Sequence, residues 1–286
     1  MTLEPSWLCT IQTFLLVGVG LVVTHGCHPE QQCNGSVTLC ARTLDQVVFA
    51  GTHNAMSNED EGWLAPNQHH SIERQLADGI RALMLDTHDD DGTVALCHGY
   101  CSLGSRSFLE ALDAVNQYLD EDSGAVVLLL IEDAVGVSET EAVFEQSSLI
   151  ERLFVMPQDG SWPTLGEMVM EDQRVVVFAE NQGPPPSWYH HMWNWVYDTP
   201  YSFSDASEFS CDLNRGQADN ALYLINHWIG NPLPDAQQAA TVNTAEVLGA
   251  RVALCAQQWG RLSNIVAVDF YDLGDLFEVV ATQNGL

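Results

Sequence analysis

The stretch 125–132, AVVLLLIE, decides the fold of this chain, because it is an unbroken apolar run that ends in a carboxylate. Apolar runs without alternation are typical of parallel strands that are covered on both faces. Comparable runs predict further strands at 44–50, 81–86, 93–97, 174–180, 221–227 and 264–270.

Stretches with helical periodicity separate these strands, at 70–78, 107–119, 139–151, 164–171, 243–258 and 273–281. Alternation of strand and helix over this length predicts an α/β fold, a single-domain irregular TIM-type (β/α) barrel. A doubly wound open sheet is the alternative, but no glycine-rich GxGxxG turn follows any predicted strand. The segment 181–218, rich in Trp, Tyr and Asp, predicts a long excursion over one face of the barrel.

Composition excludes several classes of protein. The chain has 286 residues, is 46% hydrophobic and carries a formal net charge of −30, and its nine basic residues are all arginine. Such an acidic surface repels nucleic acid and anionic membranes, so neither is expected as a nonspecific partner. An acidic, lysine-free surface suits a salty milieu, although a GC-rich coding bias explains the missing lysine equally well.

The amino-terminal region predicts export. The apolar run 11–23 has signal-peptide length, although the residues before it lack positive charge. We therefore expect a signal peptide or lipoprotein leader over 1–26, a cysteine-rich neck over 27–41 and the barrel over 42–286. Gly26 before Cys27 fits a lipoprotein cleavage site and predicts a lipid anchor at Cys27 as the alternative to a soluble secreted form.

The cysteines fit an oxidising compartment. Apart from Cys9 and Cys27, six cysteines remain, and six allow 15 pairings. Local spacing favours two short bridges and one long one, which are Cys33–Cys40, Cys97–Cys101 and Cys211–Cys255. The alternative is free buried cysteines that pack as small hydrophobic residues. The protein is therefore expected to be secreted or at the cell surface, in a periplasmic or extracellular setting.

Polar residues follow the predicted strands at their carboxyl ends. The first strand leads into 51–54 (GTHN), the second into 86–88 (DTH), the third into 97–99 (CHG) and the fourth into 132–133 (ED), and the last carries Asp269. The active site of a β/α barrel is built at this end. Any single residue here is also explained as a helix cap, but together they predict a site.

The residue types in this set indicate a chemistry. His53 and His98 can supply a general base and a general acid for breaking a phosphodiester. Asn54, Asp86 and Glu132 offer the hard oxygen ligands that Ca²⁺ prefers. A divalent cation there would neutralise the phosphate. Because no GxSxG nucleophile elbow is present, an acyl hydrolase is disfavoured.

These motifs resemble the X region of phosphatidylinositol-specific phospholipase C, in particular its secreted, cysteine-bearing X-domain-containing branch. The resemblance extends over roughly 40–275. It rests on 51–54 (GTHN), 79–86 (GIRALMLD), 96–98 (LCH), 130–133 (LIED), 193–195 (WNW), 224–227 (LINH) and 266–271 (VAVDFY).

The resemblance implies roles for the site residues. His53 would act on the 2-hydroxyl nucleophile, His98 would protonate the departing diacylglycerol oxygen, and Asp269 would pair with His53. The three oxygen ligands match the positions that hold Ca²⁺ in metal-dependent members. Met84 replaces a carboxylate two residues before Asp86, so the resemblance implies a calcium site with one ligand missing.

Substrate recognition is expected from Arg81, Tyr271 and Trp195, with packing of the barrel as the alternative for each. Related members hold extra ring phosphates with lysine, and this chain has none. The expected substrate is therefore phosphatidylinositol or a related phospholipid or glycolipid phosphodiester, reached through transient contact with a membrane surface. Glycerophosphodiester or phospholipase D-like hydrolysis, or an inactive barrel that binds lipid or glycan, are the alternatives.

Overall fold

The computed structural model describes residues 7–14, 22–230 and 233–286, and for 7–14 and 22–29 it describes the backbone alone. The strands are β1 (Trp7–Phe14), β2 (Val22–Pro29), β3 (Phe49–Thr52), β4 (Ala82–Asp90), β5 (Thr93–Leu96), β6 (Arg106–Ser107), β7 (Val127–Asp133), β8 (Val175–Ala179), β9 (Tyr189–His191), β10 (Val196–Asp198), β11 (Leu222–His227) and β12 (Ile265–Val268). The α-helices are α1 (Ile72–Asp78), α2 (Phe108–Glu121), α3 (Val137–Phe144), α4 (Leu165–Met170), α5 (Ala236–Val242), α6 (Ala250–Trp259) and α7 (Leu276–Gln283).

Eight strands form one curled parallel sheet in the order β10-β11-β12-β3-β4-β7-β8-β9. The strands at the two ends of this order, β10 and β9, are consecutive in the chain. This architecture is the irregular β/α barrel predicted from the sequence. No helix in the described part of the chain has the length and apolar content needed to cross a membrane.

The apolar runs are buried on both faces, as continuous hydrophobic strands require. In β7, Leu128 and Leu130 point into the barrel interior, where they meet residues such as Phe178. Leu129 and Ile131 face outward and pack with the helices. Each fully buried side chain of this kind contributes roughly 1.5–3 kcal/mol. A single charge within β7 before its carboxyl end would therefore break the core.

Two predicted strands are corrected. The run 93–97 is not a barrel strand: β5 pairs antiparallel with the end of β4. Asp91 and Gly92 have φ angles of 52° and 85°, and two successive positive φ values suit a two-residue hairpin turn, which reverses the chain. The run 44–50 becomes strand only from Phe49, because Leu44–Gln46 forms a 3₁₀ turn.

The predicted long excursion contains two short strands, β9 and β10, which periodicity did not predict because each has only three residues. The helix α5 was also missed. At the amino terminus, β1 and β2 pair as a separate antiparallel sheet. Residues 1–6 and 15–21 of the predicted leader lie outside the described residues, as does the Cys27 side chain, so the leader and the lipid anchor stay predictions.

Candidate active site

Five charged or titratable side chains meet at the carboxyl edge of the sheet. His53 follows β3, Asp86 lies in β4, Glu132 in β7, Glu180 follows β8 and Asp269 follows β12. Asp86 and Glu132 are directly paired in register. Parallel strands bring all their carboxyl ends to one side, and here they surround a cavity of about 380 Å³.

His53 is fixed on three sides. Its Nδ1 lies 2.9 Å from Asp269 Oδ1, and Asn67 Nδ2 donates to the same carboxylate oxygen at 3.0 Å. Trp228 stacks on the imidazole with 3.8 Å between ring centroids and 4° between planes. Gln68 ties the turn in place by donating to His53 O at 2.8 Å. The ring is therefore held with its Nε2 free for a substrate.

The turn after β3 depends on small residues. A Cβ at Gly51 would lie 3.3 Å from both Ala82 Cβ and Ile265 Cγ2, which is tighter than ordinary packing. Asn54 has a φ of 46°, in the left-handed region that asparagine tolerates. Gly51 therefore lets β3 pack closely against β4 and β12, and Asn54 lets the chain turn at the edge of the sheet, beside His53.

His98 faces the same cavity but arrives there differently from the expected barrel strand. It follows β5, so the β4–β5 hairpin carries it back over the end of the sheet. Its Nδ1 lies 2.8 Å from Asp86 Oδ2, and its side chain is 59% exposed. This hydrogen bond, aided by the negative charge of Asp86, raises the pKa of His98 despite its partial burial. The His53 and His98 ring centroids are 6.4 Å apart.

The three predicted oxygen ligands lie side by side. The Asn54 amide lies beside Asp86, and in the orientation that satisfies both groups its Nδ2 donates to Asp86 Oδ1 and Oδ2 at 3.3 and 3.2 Å. Burial, and then the charge of Asp86, raise the pKa of Glu132. Carboxylate and amide oxygens are the ligand types that Ca²⁺ prefers. Met84 also lines the cavity and supplies no oxygen.

Within the described part of the chain, no group of three or more His, Cys, Asp or Glu side chains is arranged as a metal site. A cation beside Asp86 and Glu132 would therefore need the Asn54 oxygen together with water or substrate oxygens. The donor set fits Ca²⁺ as an incomplete site of this kind.

The far wall of the cavity was missed by the sequence analysis. Arg215 lies there, with Nη1 donating to Glu180 at 2.7 Å and Nη2 donating to Asp198 at 2.6 Å. Its guanidinium stacks on Trp193 and Tyr201, at 4.2 and 4.7 Å from their ring centroids. Glu180 had a detectable signal, because it ends the predicted strand 174–180. Arg215 had none, because it lies in an irregular loop.

Glu180 supports a prediction on pH. Burial raises its pKa to about 7, against the opposing effect of Arg215. Ionising Glu180 in the folded protein therefore lowers the free energy of unfolding. This loss is small near pH 4.5 and reaches its full size above pH 7. We expect Glu180→Gln to raise the free energy of unfolding at pH 8 by up to about 3 kcal/mol, from 1.36 kcal/mol per pKa unit. Below pH 5 the gain should fall under about 1 kcal/mol.

Urea unfolding in EDTA at both pH values measures this difference. Glu73→Gln is the matched control with the opposite sign. Burial alone would raise the pKa of Glu73, but hydrogen bonding to Arg106 outweighs it and holds the pKa at about 2. That substitution should therefore destabilise at pH 8. Equal effects of Glu180→Gln at both pH values would contradict the prediction.

The three predicted substrate-binding residues lie away from the cavity, and that prediction is corrected. Arg81 precedes β4 at the opposite end of the barrel, where its Nη1 donates to Leu76 O at 2.8 Å. Tyr271 is 2% exposed and its hydroxyl donates to Asp78 at 2.8 Å. Trp195 lies at the amino end of β11, where its carbonyl accepts from the Leu222 N–H. All three stabilise the barrel.

Among the described side chains there are three disulfides, in the pairing that local spacing favoured: Cys33–Cys40, Cys97–Cys101 and Cys211–Cys255. Cys211–Cys255 joins the loop before Arg215 to α6. Cys97–Cys101 brackets His98. Two of the three bridges therefore lie next to walls of the cavity.

Comparison with known proteins decides the family. The family model PI-PLC X 1 matches residues 39–284. The chain belongs to the PI-PLC X domain family. The PI-PLC X domain-containing protein 1 of Arthroderma benhamiae is 32% identical over 97% of this chain and 99% of its own length. The PI-PLC X domain therefore accounts for the sheet and for the strand ends that form the cavity.

Two further relatives are longer. An uncharacterized secreted protein of Arthroderma benhamiae is 31% identical, and the match covers 89% of this chain and 64% of that protein. A PI-PLC X domain-containing protein of Arabidopsis thaliana is 29% identical, over 85% of this chain and 62% of its own length. The chain thus spans about two thirds of these two relatives. The name of the first of these relatives describes it as secreted, which agrees with the disulfides of this chain.

Among solved structures, phosphatidylinositol-specific phospholipase C of Staphylococcus aureus has the same fold, with a TM-score of 0.61. The match covers 86% of this chain and 95% of that one, at 13% identity. This likeness concerns the fold alone. Together, the family and the fold point to phosphodiesterase chemistry.

Proposed function

We propose that this protein is a secreted phosphodiesterase that cleaves phosphatidylinositol, or a related phosphodiester headgroup, by paired histidine acid–base catalysis. One observation carries the proposal: two imidazoles face one cavity, 6.4 Å apart, and each has its Nδ1 on a carboxylate. That spacing leaves room for a phosphate between them. A pair of histidines poised in this way suits removal of one proton and delivery of another.

His53 is the general base in this proposal. Its Nδ1–H donates to Asp269, so the ring is in the tautomer whose Nε2 accepts a proton. The headgroup 2-hydroxyl gives its proton to Nε2 while its oxygen forms a bond to phosphorus. Asp269 stabilises the imidazolium that results. Trp228 stacks on the ring, which limits its rotation away from the substrate.

His98 is the general acid. Asp86 raises its pKa and so keeps the imidazolium populated to higher pH. As the bond from phosphorus to the diacylglycerol oxygen breaks, His98 donates its proton to that oxygen. The products are diacylglycerol and a cyclic inositol phosphate, and the two histidines have exchanged protonation states. Hydrolysis of the cyclic phosphate by water, with the roles reversed, would restore them.

Ca²⁺ is proposed beside these groups, held by Asn54, Asp86 and Glu132. When bound, it would offset the negative charge of the phosphate and favour ionisation of the attacking hydroxyl. The neighbouring carboxylates of Asp86 and Glu132 and the raised pKa of Glu132 support this assignment. The methionine at position 84 leaves the site one carboxylate short, so we expect weak affinity.

The headgroup is proposed to lie against Arg215, Glu180 and Tyr201. A guanidinium, a carboxylate and an aromatic ring together suit a neutral polyol better than a polyphosphate. Without lysine, the cavity offers little charge for extra ring phosphates. The substrate would be reached at a lipid surface outside the cell, in transient contact.

A direct assay tests the function. We expect the purified protein to release a cyclic inositol phosphate from phosphatidylinositol in mixed micelles, detected by phosphorus NMR. A panel with phosphatidylcholine, glycerophosphoinositol and a glycosylated phosphatidylinositol gives the substrate class. Lack of turnover on the whole panel, with binding retained, would identify the inactive lipid-binding barrel instead.

Chelation tests the cation separately. We expect EDTA to lower kcat/KM by about tenfold or more, as loss of electrostatic stabilisation of the phosphate implies, and added Ca²⁺ to restore it. Glu132→Gln should raise the Ca²⁺ concentration needed for half-maximal activity. Full activity in EDTA would remove the cation from the proposal and leave the histidines in place.

A further inference from the structure

A five-residue disulfide ring encloses His98. Cys97 and Cys101 are bonded, with a sequence separation of 4, and His98 is the first residue between them. Cys97 is fully buried, and its N–H donates to Asp86 O at 3.1 Å. One end of the ring is therefore anchored in the core at the residue that binds the His98 imidazole.

Beyond Cys97 the chain leaves the core. The His98 side chain is 59% exposed, and Tyr100 is 76% exposed. Gly99 has a φ of 69°, and a Cβ built there meets nothing within 4 Å. Exposed segments with few packed neighbours open at low free-energy cost. Packing alone therefore constrains His98 little.

The other contacts of this segment are internal to it or lie at its far end: the Tyr100 N–H donates to His98 O at 2.8 Å, and Gly104 packs closely against Trp63. Its far end is attached by the Leu64 N–H donating to Leu103 O at 2.8 Å. The His98 imidazole itself is held through the contact between its Nδ1 and Asp86. Cys101, by contrast, returns the chain covalently to the buried Cys97. The disulfide is thus the covalent restraint that returns the chain to the core after His98.

We propose that the Cys97–Cys101 disulfide is a positioning element for His98, which keeps the imidazole on Asp86 and facing the cavity. The inference rests on the proposed function, in which His98 protonates the leaving group. A displacement of about 1 Å in a catalytic group can cost on the order of 10²-fold in rate. Full activity of the site therefore requires an oxidising environment, where this bridge forms.

Cys101→Ser tests the inference, because it removes the bond and keeps the buried Cys97 in place. We expect kcat on phosphatidylinositol to fall by about 10–100-fold, with KM nearly unchanged. Cys40→Ser is the matched control. It also breaks a short bridge, of sequence separation 7, by replacing the partly exposed cysteine and keeping the fully buried one, Cys33. That bridge lies at the opposite end of the barrel, so kcat should not change.

A second substrate distinguishes loss of His98 positioning from a general loosening of the fold. An aryl phosphodiester of inositol expels a phenolate, which needs little protonation. We expect Cys101→Ser to lower kcat for this substrate by less than about threefold, as His98→Gln should, because both variants impair the same proton transfer. The double variant Cys97→Ala/Cys101→Ala leaves no free thiol at this bridge. It should show the same losses of kcat as Cys101→Ser on both substrates.

Three results would overturn the inference: an unchanged kcat, an equal loss with both leaving groups, or an equal loss in Cys40→Ser. Each kcat is measured at a temperature below the unfolding midpoint of the variant, so that unfolding is not mistaken for loss of the general acid. A wild-type protein without activity on either substrate would instead refute the proposed function. Wild-type activity with an unaffected Cys101→Ser would refute only the positioning by the disulfide.

Discussion

His53→Ala is expected to lower kcat/KM on phosphatidylinositol by about 10²–10⁴-fold, the range that a positioned general base contributes. The substitution removes the atom that accepts the hydroxyl proton and leaves the carboxylate of Asp269 without its partner. Steady-state kinetics on the variant, with its fold checked by circular dichroism, measure the loss. Asp269→Asn should also lower kcat, because the amide no longer favours the Nδ1–H tautomer.

His69→Ala is the matched control for this prediction. His69 forms the same kind of pair, with its Nδ1 2.8 Å from Asp272, but it lies outside the cavity. Its removal deletes a histidine–carboxylate contact without touching the proposed chemistry, so kcat/KM should stay within about twofold. Comparable losses in His53→Ala and His69→Ala would mean that the pairs matter for folding and that the acid–base proposal is wrong.

Loss of the long disulfide is expected to have the largest effect on stability. Cys211 and Cys255 are separated by 44 residues in the chain. In the chain-entropy account, opening a loop of this size costs about 4 kcal/mol. We therefore expect Cys211→Ala/Cys255→Ala to lower the free energy of unfolding by about 3–4 kcal/mol, measured by urea titration. Cys33→Ala/Cys40→Ala opens a much shorter loop, with a sequence separation of 7, and should cost about 2.5 kcal/mol or less.

The double variant Cys211→Ala/Cys255→Ala should also weaken substrate binding. Trp259 Nε1 donates to Cys211 O at 2.7 Å, and the buried Arg251 donates to Ser210 O at 3.0 Å. With the disulfide, these contacts attach the loop 199–215, which carries Tyr201 and Arg215 to the cavity. We expect KM to rise while the leaving-group dependence stays normal, which is the reverse of the pattern for Cys101→Ser. A normal KM would show that the hydrogen bonds alone hold this wall.

The barrel was predictable because its signals are local. A strand buried on both faces must be apolar throughout, as 125–132 is, and a polar residue can follow only where the strand leaves the core. Parallel strands then bring these residues to one edge whatever the loops do. The structure accordingly brings His53, Asp86, Glu132 and Asp269 to this one edge.

Arg81 shows where local signals were misapplied. It begins the strand that carries Asp86, five residues earlier, and a rise of about 3.3 Å per residue puts the two about 16 Å apart. A residue at the start of a parallel strand belongs to the opposite end of the barrel. Tyr271 failed for another reason: its position after β12 left open whether the ring turned to the cavity or to α1, and packing against Asp78 decided it.

By themselves, then, the run 125–132 and its counterparts determined parallel strands with a polar edge, because strands that are apolar throughout must be covered on both faces. Tertiary structure decided the rest of the cavity. The curl of the sheet set the 6.4 Å between His53 and His98, and the β4–β5 hairpin carried His98 there. Arg215 comes from an irregular loop, whose course depends on contacts distant in sequence and leaves no periodic signal.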